Sequence, residues 1–294
     1  MRRESALTWV GIFGMWILGG ISYPLLSDVT KTVDPLNLVF YRAFCSAILL
    51  GIATLVIAPS SFRSIRFNKQ LIPLVAASLL FNPGCAGTLA WSSAKIPGAL
   101  SALLFGSLPA IATIFGALVG RRTSRVAVAG VVIATVAVVF LVGHPTSSIS
   151  SSGMFAALWA TLSWFVATEI WVSFNPGYPL LFATFMQTLI GAFGCLAARP
   201  ILHSPPLRMH DVFIGGVLLL TATFAIQHLM YLGISSRVSG AILTSFGLVN
   251  PLIAAIVGYF VFSQKITALQ AGAGIILMIG VTLVVREERG SVSG

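Results

Sequence analysis

Residues 97–119 read PGALSALLFGSLPAIATIFGALV, and residues 239–261 read SGAILTSFGLVNPLIAAIVGYFV. The two stretches align without a gap at an offset of 142 residues (from 97 to 239), which places Pro109 on Pro251. When the alignment continues through the next apolar stretch, about fourteen of forty-eight positions are identical, more than shared hydrophobicity alone produces. We therefore predict an internal duplication. Further identical pairs are Gly98 and Gly240, Ala99 and Ala241, Gly116 and Gly258, Gly130 and Gly272, and Gly11 and Gly153.

The composition around these stretches is that of a membrane protein. Hydrophobic residues make up 57% of the 294 positions and charged residues 8%, and the mean hydropathy is +0.99. A soluble domain carries about 25% charged residues, and no water-soluble packing hides so much apolar surface. The net charge of +10 comes from cations in short connectors, so we interpret it as a topology signal and expect no nucleic-acid partner.

Ten stretches are long and apolar enough to cross a bilayer, which needs roughly 20 apolar residues each. We therefore predict an all-α integral membrane protein with ten transmembrane helices. The predicted spans are 6–26, 34–57, 70–93, 97–119, 124–142, 153–174, 179–198, 211–233, 238–261 and 267–285.

Lys and Arg are unevenly distributed between the two sides that these spans define. With the N-terminus inside, about eleven cations fall in cytoplasmic connectors and tails and about five outside. Cytoplasmic loops retain Lys and Arg, so we expect both termini in the cytoplasm and a multi-pass location in a bacterial inner membrane.

The duplication also has a direction. Each half contains five spans, an odd number, so the second half must enter the membrane inverted relative to the first. The aligned connectors agree, because residues 121–125 read RRTSR whereas residues 263–267 read SQKIT. We predict a first repeat over 1–142, a linker over 143–152 and a second repeat over 153–294. Two inverted halves are typical of secondary transporters that work by alternating access.

The chain resembles the drug/metabolite transporter superfamily, in particular its ten-helix EamA-type members. The match rests on Pro97-Gly98-Ala99 followed by Pro109, and on Gly240-Ala241 followed by Asn250-Pro251. Size, aromatic content and topology are similar to those of YddG-type aromatic amino-acid exporters. The resemblance implies an exporter of small metabolites, namely amino acids with aromatic or other bulky neutral side chains. Members of the superfamily often carry an acidic residue after the fourth or ninth span, and this chain lacks it there.

Three ionisable side chains inside the predicted spans are candidates for function, because such groups are costly in a bilayer. Arg42 could attract a substrate carboxylate, although it could also reach backbone carbonyls or the interface. Glu169 and His228 lie at similar depth and could form a proton-coupling pair or only a hydrogen bond between helices.

Polar and aromatic side chains at helical spacing complete the predicted substrate cavity. Hydroxyls and amides at such positions also serve simply to hold helices together, so each has a structural alternative. Indole rings deep in a span suit bulky, weakly polar substrates if they face inward. The predicted cavity residues are Trp16, Arg42, Asn82, Trp91, Ser101, Trp164, Gln227, His228, Tyr231, Thr244, Ser245 and Asn250.

Two alternatives remain open. The first is a transporter of another substrate class, such as a phosphorylated metabolite, a nucleotide sugar or a drug. The second is an integral-membrane enzyme, which paired carboxylates, a nucleophile elbow or a P-loop would indicate, and none of these appears. We therefore expect no catalytic residues, no metal and no cofactor, and membrane lipid and a small-molecule substrate as the partners. Two complete halves already supply the interface, so we expect a monomer.

Overall fold

The computed structural model describes residues 2–64, 71–118, 120, 124–143, 150–174, 178–235, 246–265 and 267–292. These residues form ten long helices and no strand. The helices are α1 (Arg2–Val29), α2 (Pro35–Ile57), α3 (Leu71–Ser93), α4 (Gly98–Leu118), α5 (Arg125–Gly143), α6 (Ser151–Phe174), α7 (Leu180–Ile201), α8 (Gly215–Ser235), α9 (Phe246–Phe262) and α10 (Ala268–Val292).

Each helix coincides with one of the predicted spans, and the all-helical class is confirmed. Seven of them, α1 to α4 and α6 to α8, are long and apolar enough to cross a membrane. The remaining three contain shorter apolar helical segments, at Arg125–Ala137, Val249–Phe262 and Ala271–Leu283. Residues 70, 119 and 238–245 of the predicted spans lie outside the described residues.

Two of the helices are irregular at mid-length. In α3 a π-helical segment runs over Leu80–Gly87 and contains Pro83, which has no N–H to give to the helix. In α4 the regular helix stops at Phe105 and resumes at Leu108. Ser107 bridges this break, since its hydroxyl donates to the carbonyl of Leu104 at 2.7 Å. Both irregularities lie beside the central cavity described below.

Helices of the first five pack mainly against helices of the second five. α1 packs against α8 and α9, and α6 packs against α3 and α4. α2 packs against α7 and α8, α3 also contacts α7, and α5 lies along α10. When α1–α5 are renumbered as α6–α10 and the reverse, α1–α8 becomes α6–α3, α1–α9 becomes α6–α4 and α2–α8 becomes α7–α3. The pairs α2–α7 and α5–α10 map onto themselves.

The backbones of α4 and α9 touch where they cross. A Cβ atom added to Gly106 would lie 2.5 Å from the carbonyl oxygen of Gly247. No side chain fits between the helices at this point, so glycine is required by the close approach. The crossing brings Phe105 and Phe246, the residues just before the two glycines, into ring contact at 6.3 Å.

One end of the bundle, which we call the Asp34 end, is closed by hydrogen bonds between helix termini. The carboxylate of Asp34 caps α2 by accepting from the backbone N–H of Leu36 and of Asn37. Gln264, just beyond α9, accepts from the N–H of Gly98 and donates to the carbonyl of Pro24, both at 3.1 Å. Gln264 therefore ties α1 to the start of α4.

The connector between α7 and α8 folds over the same end. Arg199 donates to the side-chain oxygen of Asn37 at 2.7 Å and to the carbonyl of Pro205 at 2.6 Å. The hydroxyl of Tyr41 accepts from the N–H of Arg208 at 2.7 Å and donates to its carbonyl at 3.0 Å. These bonds join the connector to the first turns of α2.

Candidate functional site

A cavity lies between α1, α2, α3, α4, α6, α8 and α9, close to the glycine crossing. Its empty space is about 760 Å³ when the opening is included. Both halves of the chain contribute to the wall, which is mostly apolar and aromatic. The wall residues are Met15, Gly19, Ser22, Tyr23, Leu26, Arg42, Phe81, Cys85, Ala86, Leu89, Phe105, Trp164, Phe224, Gln227, His228, Tyr231, Phe246 and Asn250.

Arg42 gives the wall a positive charge. Its side chain is 8% exposed, and its guanidinium carbon lies 4.2 Å from the ring centre of Phe224, a cation–π contact. Its Nε atom has no hydrogen-bond partner among the described residues. No Asp or Glu belongs to the described wall. The cavity therefore presents a cation without a described counter-ion.

Aromatic rings on α3, α6 and α8 form one side of the cavity. The ring of Trp164 meets Phe81 edge-on at 4.7 Å and Tyr231 at 4.8 Å. The indole N–H of Trp164 donates to the hydroxyl of Tyr231 at 3.1 Å, and the hydroxyl of Thr168 lies 2.7 Å from the same oxygen. These bonds hold the rings in place while their polar atoms are satisfied. The result is a rigid apolar surface suited to a flat or bulky side chain.

His228 connects α8 to α7. Its Nε2 atom is hydrogen-bonded to the side-chain oxygen of Gln187. Its ring stacks on Phe224 at 5.1 Å with an interplanar angle of 20°. The other ring nitrogen, Nδ1, is buried and has no partner among the described residues. His228 is thus fixed on one side and unpaired on the other.

Two amides, on Gln227 and Asn250, meet over α1 at a glycine. A Cβ atom on Gly19 would lie 2.6 Å from the amide nitrogen of Asn250 and 2.8 Å from that of Gln227. The missing side chain therefore makes room for both amides. The side-chain oxygen of Asn250 is buried and unpaired.

Six of the residues predicted to form the cavity lie on its wall. These six come from α2, α6, α8 and α9. Four other predicted residues lie off the wall. Thr244 and Ser245 fall outside the described residues. The six are Arg42, Trp164, Gln227, His228, Tyr231 and Asn250, and the four are Trp16, Asn82, Trp91 and Ser101.

The four residues off the wall take part in helix packing or lie at the surface. Trp16 meets Phe13 edge-on at 5.1 Å, and Trp91 is 40% exposed with the ammonium group of Lys95 4.1 Å above its ring.

Asn82 and Ser101 are buried among other helices instead. Asn82 packs where Gly191 of α7 leaves space, and its amide donates to the carbonyl of Ser78 at 3.1 Å. The hydroxyl of Ser101 lies 3.3 Å from that of Ser92. Both side chains thus lie between helices in this structure.

Glu169 and His228 do not form a pair. Glu169 is partly exposed and off the cavity wall, and no hydrogen bond or ion pair joins it to His228 in the described part of the chain. His228 instead uses Gln187, a residue that the sequence analysis did not select. The described residues also contain no group of three or more His, Cys, Asp or Glu side chains that could hold a metal ion.

Sequence reasoning missed the phenylalanines of the wall, Phe81, Phe105, Phe224 and Phe246. A partial signal was available, since Phe224 lies one helical turn before His228 and Phe81 directly precedes Asn82, both of which are predicted cavity residues. Phenylalanine is also common on lipid-facing surfaces, so composition could not distinguish these four from the other sixteen in the chain.

Comparison with known proteins points to transport. No family model matches the chain. It is 23% identical over 298 aligned residues to the uncharacterized inner membrane transporter YedA of Escherichia coli strain K12, covering 97% of this chain and 92% of that protein. The same figures hold for YedA of Escherichia coli O157:H7. The solved crystal structure of another protein shares the fold, with a TM-score of 0.66 and 18% identity over 97% of this chain and 98% of that one.

The chain is thus an all-helical membrane protein that resembles an inner membrane transporter along nearly its whole length.

Proposed function

We propose that this protein is a secondary transporter that exports amino acids with aromatic or other bulky neutral side chains across the inner membrane. The observation that carries the proposal is a single buried cation, Arg42, in a cavity walled by Phe81, Trp164 and Tyr231. A lone cation suits one carboxylate, and the aromatic rings suit a bulky apolar side chain. The direction of transport and the EamA-type affiliation rest on the resemblance described above.

The proposed mechanism is alternating access by two inverted five-helix repeats. It is supported by the helix contacts, because renumbering each half as the other turns every named helix pair into a pair that is also observed. It is also supported by wall residues 142 positions apart, since Ser22 and Trp164 both line the cavity, as do Cys85 and Gln227. A site shared by two such halves can open to one side or the other as the halves rock.

Substrates with several negative charges are disfavoured. Phosphorylated metabolites and nucleotide sugars call for several cations, and Arg42 is the one Lys or Arg in the described wall. A cationic drug is disfavoured for the opposite reason, because its charge would meet Arg42 with no described carboxylate to offset the repulsion. An integral-membrane enzyme is also disfavoured, since the relatives that carry a functional name are named as transporters.

Purified protein in liposomes tests the proposal. With unlabelled phenylalanine, tryptophan, leucine, aspartate or putrescine trapped inside, we expect saturable uptake of labelled phenylalanine by exchange against the first three. Protein-free liposomes provide the background. Absence of saturable flux for every amino acid would contradict the substrate assignment, and uptake of labelled putrescine without uptake of labelled phenylalanine would favour a cationic substrate.

Proton coupling would use Glu169 or His228, the candidates named from the sequence. No hydrogen bond or ion pair joins them in the described part of the chain, so each requires its own test. We expect Glu169→Gln to leave transport and its pH dependence unchanged, because Glu169 is off the cavity wall. If a Glu169→Gln and His228→Gln double variant also behaved like the unsubstituted protein, neither group would carry the coupling proton.

A further inference from the structure

The cavity wall contains three buried polar atoms without a partner in the described part of the protein. They are Nε of Arg42, the side-chain oxygen Oδ1 of Asn250 and Nδ1 of His228. Buried polar groups in folded proteins are almost always hydrogen-bonded, because an unpaired one loses its hydration without compensation. Six such atoms occur in the described part of the protein, and the other three are Nε1 of Trp16, Oδ1 of Asn82 and Nε2 of Gln187. The three on wall residues are the ones that a molecule in the cavity could pair.

The hydrogen-bonding roles of these atoms follow from their surroundings. Arg42 can only donate. The amide nitrogen of Asn250 is directed to α1 at Gly19, which leaves Oδ1 as an acceptor. The Nε2 atom of His228 faces the side-chain oxygen of Gln187. In the neutral tautomer that donates from Nε2 to this oxygen, Nδ1 keeps a lone pair. The wall thus offers one charged donor and two neutral acceptors.

We infer that the cavity recognises the zwitterionic end of an amino acid, with Arg42 binding the carboxylate and Asn250 Oδ1 and His228 Nδ1 accepting from the ammonium group. The inference rests on the proposed function and adds the recognition of the amine. An ammonium group has only donors, so the two acceptors match it in kind. The faces of the aromatic rings supply further electrostatic stabilisation for a cation in a cavity without a described acid.

This arrangement selects against molecules that carry only one of the two charges. A 2-oxo acid would bind Arg42 but leave both acceptors unpaired. A simple amine would satisfy the acceptors but place its charge near an unpaired Arg42. Sites that hydrogen-bond a substrate group discriminate strongly against analogues that lack the group, because the partners of that group then stay unsatisfied.

Equilibrium binding to the purified full-length protein in detergent tests this inference. Labelled phenylalanine is displaced by phenylalanine, by phenylpyruvate, which lacks the amine, or by phenethylamine, which lacks the carboxylate. We expect each analogue to bind at least about tenfold more weakly than phenylalanine. This comparison needs no variant, so it does not depend on the folding of a substituted protein.

Two substitutions of Asn250 assign the ammonium site. We expect Asn250→Leu to weaken phenylalanine binding about tenfold and to change phenylpyruvate binding less than about twofold. We expect Asn250→Asp to strengthen phenethylamine binding about tenfold or more, since a carboxylate replaces the neutral acceptor. The matched control is Asn82→Leu, which removes a buried amide off the wall and should leave the ratio of phenylalanine to phenylpyruvate affinity unchanged.

The outcomes separate this inference from the proposed function. Equal binding of phenylalanine and phenylpyruvate would overturn the recognition of the amine and leave amino-acid transport in place. An equal change of the affinity ratio in Asn82→Leu and Asn250→Leu would overturn the assignment to Asn250. No binding of phenylalanine or of any other neutral amino acid would overturn both proposals.

Discussion

Arg42 lies in the interior of α2 with its guanidinium over Phe224 and no described acid beside it. A charged residue in the middle of a membrane-spanning helix costs about 2.5–3.5 kcal/mol on insertion scales. Residues that carry this cost face a cavity or a partner, and Arg42 faces the cavity. The position is therefore better suited to a ligand than to helix packing.

Replacing Arg42 tests its proposed role toward a carboxylate. We expect Arg42→Gln to weaken phenylalanine binding by about 1.5–3 kcal/mol, the usual contribution of a hydrogen bond to a charged group. Arg42→Lys should retain part of the affinity, since it keeps the charge and loses the planar fork. Isothermal titration of the purified variants measures both. Arg63→Gln is the control, because Arg63 is exposed in the connector after α2. Unchanged affinity in Arg42→Gln would remove Arg42 from the site.

The crossing of α4 and α9 gives the central part of the bundle its shape. The contact between Gly106 and Gly247 is between backbones, so neither helix can yield by moving a side chain. Pro251 follows closely in α9 and has no N–H for the carbonyl of Gly247, the same oxygen that approaches Gly106. The two prolines that the repeat aligns, Pro109 and Pro251, thus follow closely after the point where the halves meet.

A methyl group at this crossing is expected to destabilise the protein. Gly106→Ala would place a Cβ 2.5 Å from a backbone oxygen and force the two helices apart, at a cost of about 1–3 kcal/mol. We expect a lower melting temperature, which tryptophan fluorescence of the protein in detergent measures. Gly272→Ala is the matched control, since a Cβ there would have no atom within 4 Å. Equal melting temperatures for the two variants would show that α4 and α9 separate without cost.

The whole bundle has two chemically different ends. The Asp34 end is closed by Gln264, Arg199 and Tyr41. At the opposite end, Phe62 packs edge-on against Phe182 at 5.2 Å. The predicted orientation places the Asp34 end outside the cytoplasm, since the connectors there hold fewer of the Lys and Arg residues.

Cysteine labelling tests both the orientation and the inversion of the halves. Arg125 is the first residue of α5 and Lys265 lies in the connector after α9, within stretches that align at the 142-residue offset, and both are exposed. In whole cells we expect a membrane-impermeant maleimide to label Lys265→Cys and to leave Arg125→Cys unlabelled until the cells are opened. The unsubstituted protein, whose three cysteines lie within helices, gives the background. Labelling of both variants from the same side would rule out inverted repeats.

The helices, their number and their membrane environment could be predicted because these properties depend on local composition. A run of apolar residues long enough to span a bilayer remains one wherever its neighbours pack, and a repeat can be recognised by comparing the chain with itself. The inversion of the repeats stays a prediction. It is supported by the second connector, which has no arginine where the first has three, and by helix pairs that are still observed when the two halves are renumbered as each other.

The composition of the cavity wall depended on packing that no linear pattern encodes. Asn82 and Asn250 are both amides inside apolar helices, yet Asn82 packs against Gly191 while Asn250 lines the cavity. Phe13 is 50% exposed whereas Phe105 is buried in the wall, although both lie in apolar runs. In a bilayer, apolar side chains are compatible with both lipid and protein, so hydrophobicity does not choose between the two faces. Close backbone approaches at glycines determine which side chains face the interior, because they determine which helix faces meet.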